Sequence, residues 1–419
     1  MLAVDPLVLA RRQIAHDRER TERFPELFDR KLARMTASPL AFLRGAAPLF
    51  YELLAAHPAV AEGPRGKGWI AGDLHLENFG AYRPLPLVPG AAKGGRRDVA
   101  FDLNDFDDAV IGPWRLDVLR LTTSLILGGR ELGAGGRRVL DLAHELLAAY
   151  VRAAFSTGKD RAREGHEPAP VARLVAQVAG RSRKELLEAR TEVVKGKRRF
   201  VRGDRYADLP RAIAKRVPQA FAEYVKGLPE EVQQRAGHLE VLDAAWRIAG
   251  TGSLGGLRVA VLARPKEEKD EDHTWVFDMK EQGRPSATAF LGRPAKKWRL
   301  TPAVRVATAF EACVARPPRL VGTSSLDGVP LFVRRLAPQE DKLDLSTLAD
   351  ADLDPLADYL GALVGRAHAR GATKAPPRPW SHAECGTLID HAIAVAGIHE
   401  AAYLALCKLA GAPARRKRS

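Results

Sequence analysis

Cysteine and methionine are scarce in this chain, with three of each among 419 residues. Cys313, Cys385 and Cys407 have no spacing typical of a metal site, and an odd, sparse count suits a reducing cytoplasm. Only 6% of the residues are aromatic, and no aromatic-rich basic motif of the usual nucleic-acid modules occurs. No uninterrupted apolar run approaches the length that crosses a bilayer. These absences predict a cytoplasmic protein without a membrane span and argue against nucleic acid as a partner.

The N-terminal stretch MLAVDPLVLARRQ has no basic region before its short apolar part, so we do not expect a signal peptide. The net charge of +15 favours attraction to anions such as nucleotides, nucleic acid or anionic surfaces. Because the basic residues are spread along the chain, a solvated arginine-rich surface explains the same charge. The hydrophobic fraction of 46% is ample for one large core or two packed lobes.

The secondary-structure signals divide the chain into four segments. Residues 1–160 are mostly helical around two strand-like pieces, and residues 161–245 are basic and helical in patches. Residues 246–340 are β-rich with one helix, and residues 341–419 are again helical. We therefore predict an α+β, two-lobed fold, with a small β-rich lobe encoded between two parts of a large helical lobe. The segment 161–245 is predicted to be a helical insert that helps to bind substrate.

The first candidate site is the segment GDLHLEN at residues 72–78. Phosphoryl transfer needs a carboxylate beside the attacking hydroxyl and oxygen ligands for magnesium. Asp73 can accept the hydroxyl proton, and Asn78 can ligate the metal through its amide oxygen. Taken alone, the segment also fits a polar turn with Asx caps.

The second candidate site is the acidic segment FDLNDFDD at residues 101–108. Its carboxylates repel one another unless a cation or solvent relieves them, and magnesium is a cation that does so. A metal-dependent hydrolase is an alternative, because Asp73, His75 and Glu77 alternate and would share one face of a strand. Such an enzyme would use Asp73, His75 and Asp105.

The third candidate site is the glycine-rich turn GTGSLG at residues 250–255. A dinucleotide-binding fold needs a helix directly after the glycines, but a strand-like segment, GLRVAVLA, follows here. A glycine loop between two strands favours the arrangement in which backbone N–H groups approach phosphates. We predict that the nucleotide contacts the small residues of this turn, Gly250, Gly252, Ser253 and Gly255.

A lysine lies in the third strand of the β-rich block, at Lys280 in FDMKE. This position suits a contact with the α- and β-phosphates. Glu311 on the following helix is the candidate for its ion-pair partner. The strand VPLFVRRLA would then end near an adenine-binding hinge around Leu336.

As a set, these motifs resemble those of aminoglycoside and choline kinases. GDLHLEN resembles their catalytic loop, and NDFDDA resembles their metal-binding strand end. The wider set SPLAFLRGAA, GDLHLENFG, FDLNDFDDA, PWRLDVLRL, GTGSLGG and HAR resembles an uncharacterised bacterial family called domain of unknown function 2252. The resemblance to kinases implies ATP and magnesium as cofactors. It also implies Asp73 as base, Asn78 and Asp105 as metal ligands with Asp107 assisting, and Lys280 as phosphate contact.

The chain departs from the kinase pattern in two respects. Ala71 replaces the histidine that usually precedes Gly-Asp, so the catalytic loop must be braced differently. Asp117, in PWRLD, resembles the aspartate that braces this loop in those kinases. The glycine loop and lysine also follow the catalytic loop instead of preceding it. A circular permutation of the protein-kinase-like fold explains this order, with the helix LGALVGRAHARG normally leading into the catalytic loop.

The predicted function is transfer of a phosphoryl group from ATP to a hydroxyl acceptor, which is a small molecule or a protein. The expected partners are thus a nucleotide and a hydroxyl-bearing substrate. Three alternatives are a nucleotide-binding protein without activity, an AMP-transferring enzyme on the same fold, and the metal-dependent hydrolase. The sequence specifies neither the acceptor nor the oligomeric state.

Overall fold

The computed structural model describes residues 4–84, 99–156, 167–230, 233, 239–266, 273–318, 320–374 and 378–411. The helices are α1 (Pro6–Arg20), α2 (Leu27–Met35), α3 (Pro39–Gly45), α4 (Ala47–Ala56), α5 (Trp114–Glu131), α6 (Gly136–Ala154), α7 (Ala169–Ala179), α8 (Arg183–Glu188), α9 (Arg211–Ala214), α10 (Val217–Lys226), α11 (Thr288–Leu291), α12 (Pro302–Cys313), α13 (Asp350–Arg370) and α14 (His382–Gly411). The strands are β1 (Lys67–Ile70), β2 (Phe79–Tyr82), β3 (Ala100–Leu103), β4 (Val110–Pro113), β5 (Thr191–Val194), β6 (Lys197–Phe200), β7 (Tyr206–Ala207), β8 (Leu239–Arg247), β9 (Arg258–Pro265), β10 (Trp275–Glu281), β11 (Gly322–Leu326), β12 (Val329–Leu336) and β13 (Ala372–Lys374). The protein therefore has the mixed α and β composition that the sequence predicts.

The largest sheet has six antiparallel strands in the order β11-β12-β10-β9-β8-β7. The glycine-rich turn connects β8 to β9, and α12 lies in the chain between β10 and β11. Asp327 and Gly328, between β11 and β12, both have positive φ angles, as a two-residue hairpin turn with the right twist requires. The strands predicted around the glycine turn, Lys280 and the LDG turn are thus confirmed.

Apolar residues occur on both faces of this sheet, because alternate residues of a strand point to opposite sides. One face packs on α10, with Phe277 against Phe221 and Tyr224 at its centre. The other face divides into two parts. Leu262 and Val276 lie in the part that packs under the segment containing α8 and the β5–β6 hairpin. The remaining part of that face forms a wall of the cavity described below.

The helical part of the protein surrounds the two loops that carry the motifs GDLHLEN and FDLNDFDD, called the motif-bearing loops below. Helix α5 is buried along most of its length, α6 packs along α13, and α14 packs on α5 and α1. Strand β1 lies between β13 and β4 in a three-stranded sheet, and the Trp69 N–H donates to the carbonyl oxygen of Gly371. The end of α13 is therefore held beside the strand that leads into GDLHLEN.

The prediction that residues 161–245 form a helical insert describes only part of this segment. Its described residues contain the helices α7 to α10, but also the β5–β6 hairpin and β7, and the segment ends within β8. Strand β8 pairs with β9 from Leu239 to Trp246, with an irregularity between Val241 and Asp243, so the six-stranded sheet begins before the predicted lobe boundary at residue 246. Pairing with a partner strand outweighs the weak local preference of LEVLDAAWR for strand.

Helix α14 is the one candidate membrane span among the described residues, by length and composition only. Its most apolar window is 33% buried inside the protein. Leu388, Ala392 and Val395 face inward and belong to the main core. A helix in the core of a protein meets the same criteria of length and composition. Helix α14 packs on α5 within the main core.

A substitution in the α6–α13 contact tests this packing. Gly361 lies on α13, where an added Cβ would collide with the backbone carbonyl oxygen of Leu146 on α6. We expect Gly361→Ala to lower the free energy of unfolding by about 1–3 kcal/mol, because neither backbone can move without disturbing the core. Urea denaturation followed by circular dichroism measures this change.

Gly397 on α14 is the matched control, since an added Cβ there has no neighbour within 4 Å. Gly397→Ala is expected to raise the free energy of unfolding by up to about 1 kcal/mol through helix propensity. Equal effects of the two alanines would contradict the close approach of α6 and α13.

Candidate functional site

A cavity of about 750 Å³ lies between the six-stranded sheet, the loops that follow β1 and β3, and the N-terminal helices. Most of the predicted site residues line it, although they are far apart in the chain. They are Asp73, Asn78, Asp105, Asp107, Gly250, Gly252, Ser253, Gly255 and Lys280. The structure thus brings the three predicted motifs together, and the individual roles of these residues stay predictions.

The loop after β1 is fixed by a buried aspartate. Asp117 on α5 accepts hydrogen bonds from the backbone N–H groups of Ala71 and Gly72, at 2.6 and 2.9 Å. Gly72 has φ +80°, and a Cβ there would collide with the carbonyl oxygen of Asp108. A glycine is therefore required where the two loops meet. This is the contact that the resemblance implies for Asp117.

A histidine from the C-terminal half completes this support. His368 Nε2 lies 3.3 Å from Asp117 Oδ2, and the hydroxyl oxygen of Tyr150 lies 3.0 Å from His368 Nδ1. The His368 ring is 2% exposed and stacks on Trp114. This chain has Ala71, not histidine, before Gly72-Asp73. A histidine from a distant part of the sequence, His368, contacts the aspartate that supports the loop. The sequence signal for it was the HAR motif at the end of α13.

Asp73 projects into the cavity and is held by a buried arginine. Arg120 Nε donates to Asp73 Oδ1 at 2.8 Å, and Arg120 Nη2 also donates to the carbonyl oxygen of Leu43 at 2.8 Å. Burial raises the pKa of Asp73 to about 7, against the lowering effect of Arg120 and together with the charges of Asp108 and Asp105. A carboxylate with a pKa near neutrality is well matched to accepting a proton in a reaction.

Asp105 and Asp107 are two interacting carboxylates beside Lys280. The Lys280 ammonium forms an ion pair with Asp107, whose other carboxylate oxygen accepts a hydrogen bond from Gln282 Nε2 at 3.0 Å. Burial opposes ionisation of Asp105, but the charges of Lys280 and Lys342 outweigh it and lower its pKa. Burial and the charge of Asp105 raise the pKa of Asp107. Asp105 is thus the more readily ionised carboxylate.

Asn78 connects the two loops. Its side-chain Oδ1 accepts a hydrogen bond from the His75 N–H at 2.6 Å, and its backbone carbonyl accepts one from the Asn104 N–H at 2.9 Å. Among the residues that the structure describes, no group of three or more His, Cys, Asp or Glu side chains is placed to hold a metal. Magnesium usually takes one or two carboxylates and completes its shell with substrate phosphates and water, and Asp105, Asp107 and Asn78 fit that pattern.

The glycine-rich loop lies against the N-terminal helices. Gly250 and Gly255 have φ angles of +83° and +102°, which only glycine adopts without strain. Lys31 Nζ donates to the Gly252 carbonyl oxygen at 2.8 Å, and Arg34 donates to that of Gly250. Sequence reasoning missed the role of Lys31 and Arg34, because no local pattern connects α2 to a turn more than half the chain away.

The predicted ion pair between Lys280 and Glu311 was wrong. Lys280 pairs with Asp107, and Glu311 is exposed on α12. Phe310 and Arg305 are among the buried residues of α12, and Arg305 donates to the backbone carbonyl of Asp107 at 2.8 Å. Helix α12 therefore approaches the site through an arginine on its inner side.

Leu336 does not line the cavity either. It pairs with Val276 across the sheet and is buried with Leu187 and Phe200. Phe200 of the β5–β6 hairpin packs in the same cluster as Leu336. The Leu336 side chain is therefore not available for the predicted contact with an adenine ring. A position within a strand does not reveal which insert will pack on it.

The chain belongs to the bacterial family described as an uncharacterized protein conserved in bacteria (DUF2252), which matches residues 23–418. This confirms the resemblance that the six sequence motifs carry. No curated protein and no solved structure matches the chain. Membership of this family names no reaction, and a fold alone does not determine one.

Proposed function

We propose that this protein is an ATP- and magnesium-dependent phosphotransferase of the protein-kinase-like superfamily, acting on a hydroxyl-bearing acceptor. One observation carries the proposal. Asp73, the acidic pair Asp105–Asp107 and Lys280 meet the glycine-rich loop in one cavity, although the sequence separates them widely. Phosphoryl transfer needs this combination of a proton acceptor, carboxylates for magnesium and cationic or N–H donors for phosphates.

The strand order gives further support. After β7, the chain forms the two strands of the glycine hairpin, the lysine strand, helix α12 and then the last two strands of the six-stranded sheet. This is the order expected for the small lobe of a kinase. The pairing of β13 with β1 supports a circular permutation, because it holds the end of α13 beside the strand before the catalytic loop.

Each side chain has a distinct part in the proposed reaction. Asp73 accepts the proton of the acceptor hydroxyl, and Arg120 keeps its carboxylate oriented toward the cavity. Asp105 and Asp107, with the Asn78 amide oxygen, would hold magnesium, which would supply positive charge beside the phosphates. Lys280 exchanges its ion pair with Asp107 for a contact with phosphate oxygen.

The products of ATP turnover test this proposal. We expect the purified protein to convert ATP slowly to ADP with magnesium, water replacing the unidentified acceptor, and chelation by EDTA to stop the conversion. Liquid chromatography of the nucleotides measures the amount of ADP formed with and without EDTA. AMP with pyrophosphate would instead support the AMP-transferring alternative. The absence of MgATP binding at millimolar concentration, or phosphoester hydrolysis without nucleotide, would contradict the proposal.

A further inference from the structure

Four charged residues on the sheet side of the cavity have no part in the reaction proposed above. Arg247, Arg258 and Arg334 extend from β8, β9 and β12, and Asp278 extends from β10. All four line the cavity. We call them the arginine wall.

Asp278 organises this wall. Its Oδ1 accepts a hydrogen bond from Arg258 Nε at 2.8 Å, and its Oδ2 accepts one from Arg258 Nη2 at 2.6 Å. Arg247 Nη1 also lies 2.6 Å from Asp278 Oδ2. Burial opposes ionisation of Asp278, yet these two guanidinium groups hold its pKa well below the usual value. Asp278 is therefore a fixed negative charge that aligns two arginines.

Arg247 and Arg258 share the single carboxylate of Asp278, so one positive charge remains among these three residues, while Arg334 pairs with Glu340. Arg258 lies directly opposite Lys280 on the neighbouring strand, where like charges repel each other. Arg247 Nε is buried without a hydrogen-bond partner among the described residues. Burial lowers the pKa of Arg247 to about 10. An anion in the cavity would relieve this repulsion between the two cationic side chains.

The wall also lies next to the glycine-rich loop. Arg258 Nη1 donates to the carbonyl oxygen of Ala249, at the start of that loop, at 3.4 Å. Phosphate oxygens accept charge-assisted hydrogen bonds from a guanidinium group, and arginine is well suited to binding phosphate. The positive charge of the wall beside the glycine-rich loop therefore favours a phosphate group as its ligand.

We propose that the arginine wall is a phosphate subsite, in which Arg247 and Arg258 bind phosphate oxygens of the nucleotide beneath the glycine-rich loop. The identity of the ligand rests on the proposed function, while the affinity for phosphate does not. The two arginines and Lys280 would then form one continuous cationic surface along the phosphate chain, with contributions from three adjacent strands.

Pyrophosphate binding to the Arg247→Gln variant tests the subsite. Asp278 keeps both hydrogen bonds from Arg258 in this variant, so its charge stays paired. We expect isothermal titration calorimetry with pyrophosphate and magnesium to give an affinity about tenfold to a hundredfold weaker than for the unchanged protein. Arg335→Gln is the matched control, because Arg335 lies on the opposite face of β12, over the Trp275 ring.

Each outcome decides the proposal. Weaker pyrophosphate binding in Arg247→Gln but not in Arg335→Gln supports it, provided that circular dichroism spectra are unchanged. Equal affinity in both variants, or no binding by the unchanged protein, overturns it. Displacement of pyrophosphate by ATP supports the nucleotide as the source of the phosphate, and simultaneous binding of both overturns that assignment. If the subsite binds pyrophosphate but ATP is never turned over, the proposed function fails and the subsite stands.

Discussion

Replacement of Asp105 by asparagine is expected to lower ATP turnover by about 10³-fold or more. Asp105 is the carboxylate of the acidic pair that ionises more readily, since Lys280 and Lys342 favour its charge. The amide has nearly the same shape but no charge. We therefore expect the variant to weaken metal binding without changing the conformation of the loop. Turnover at saturating ATP, measured across a magnesium titration, gives the size of the effect.

Asp108→Asn is the matched control for this change. Asp108 belongs to the same loop, but its carboxylate accepts hydrogen bonds from the backbone N–H and hydroxyl of Ser286. The amide oxygen of asparagine can keep one of these bonds, so we expect a smaller loss, about tenfold or less. If Asp105→Asn retained turnover within tenfold of the unchanged protein, Asp105 would not be the metal ligand.

The second large effect concerns Asp73 and its dependence on pH. We expect Asp73→Asn to lower turnover by about 10²–10⁴-fold, the usual contribution of a general base. In the unchanged protein the pKa of Asp73 is raised to about 7, so its carboxylate is protonated below that pH. Activity should therefore be present above pH 7 and fall about tenfold per pH unit below it. Initial rates between pH 5 and 9 provide the measurement.

The residual activity of Asp73→Asn should lack this acidic limb, because the titrating group has been removed. Arg120 is fully buried and loses its carboxylate partner in the variant, which can destabilise the fold. The melting temperature of the variant must therefore be measured together with its rates. A folded variant with the full rate would exclude Asp73 as the base. A folded variant that keeps the slope below pH 7 would assign the titration to another group.

Local sequence signals were enough to predict the parts of the site that lie within one motif. GDLHLEN, the acidic loop, the glycine turn and Lys280 each combine a residue type with a spacing that the chemistry requires. Their convergence could be expected only from the resemblance to kinases, because the spacing along the chain says nothing about distance in space. The strands of the β-rich block were predictable because apolar runs are bounded there by turn signals. One of these is the LDG turn, whose backbone needs positive φ angles at Asp327 and Gly328.

Contacts between distant segments were beyond the sequence. Lys280 had several carboxylates within reach of a plausible fold, and only the geometry selects Asp107 over Glu311. The cover over Leu336 depends on how the β5–β6 hairpin packs, which no pattern within VPLFVRRLA encodes. Charged residues such as Asp278, within otherwise apolar strands, also gave no sign of their partners until the strand register was known.

The pairing of β13 with β1 has a consequence for the time at which the cleft forms during synthesis. The ribosome releases the segment with Asp73 and Asp105 long before it completes α13 and α14, which supply His368 and the last core layer. The two loops must therefore remain without these neighbours until α13 and α14 have followed them from the ribosome. The walls around Asp73 and Asp105 would be complete only after α13 has emerged and β13 has paired with β1.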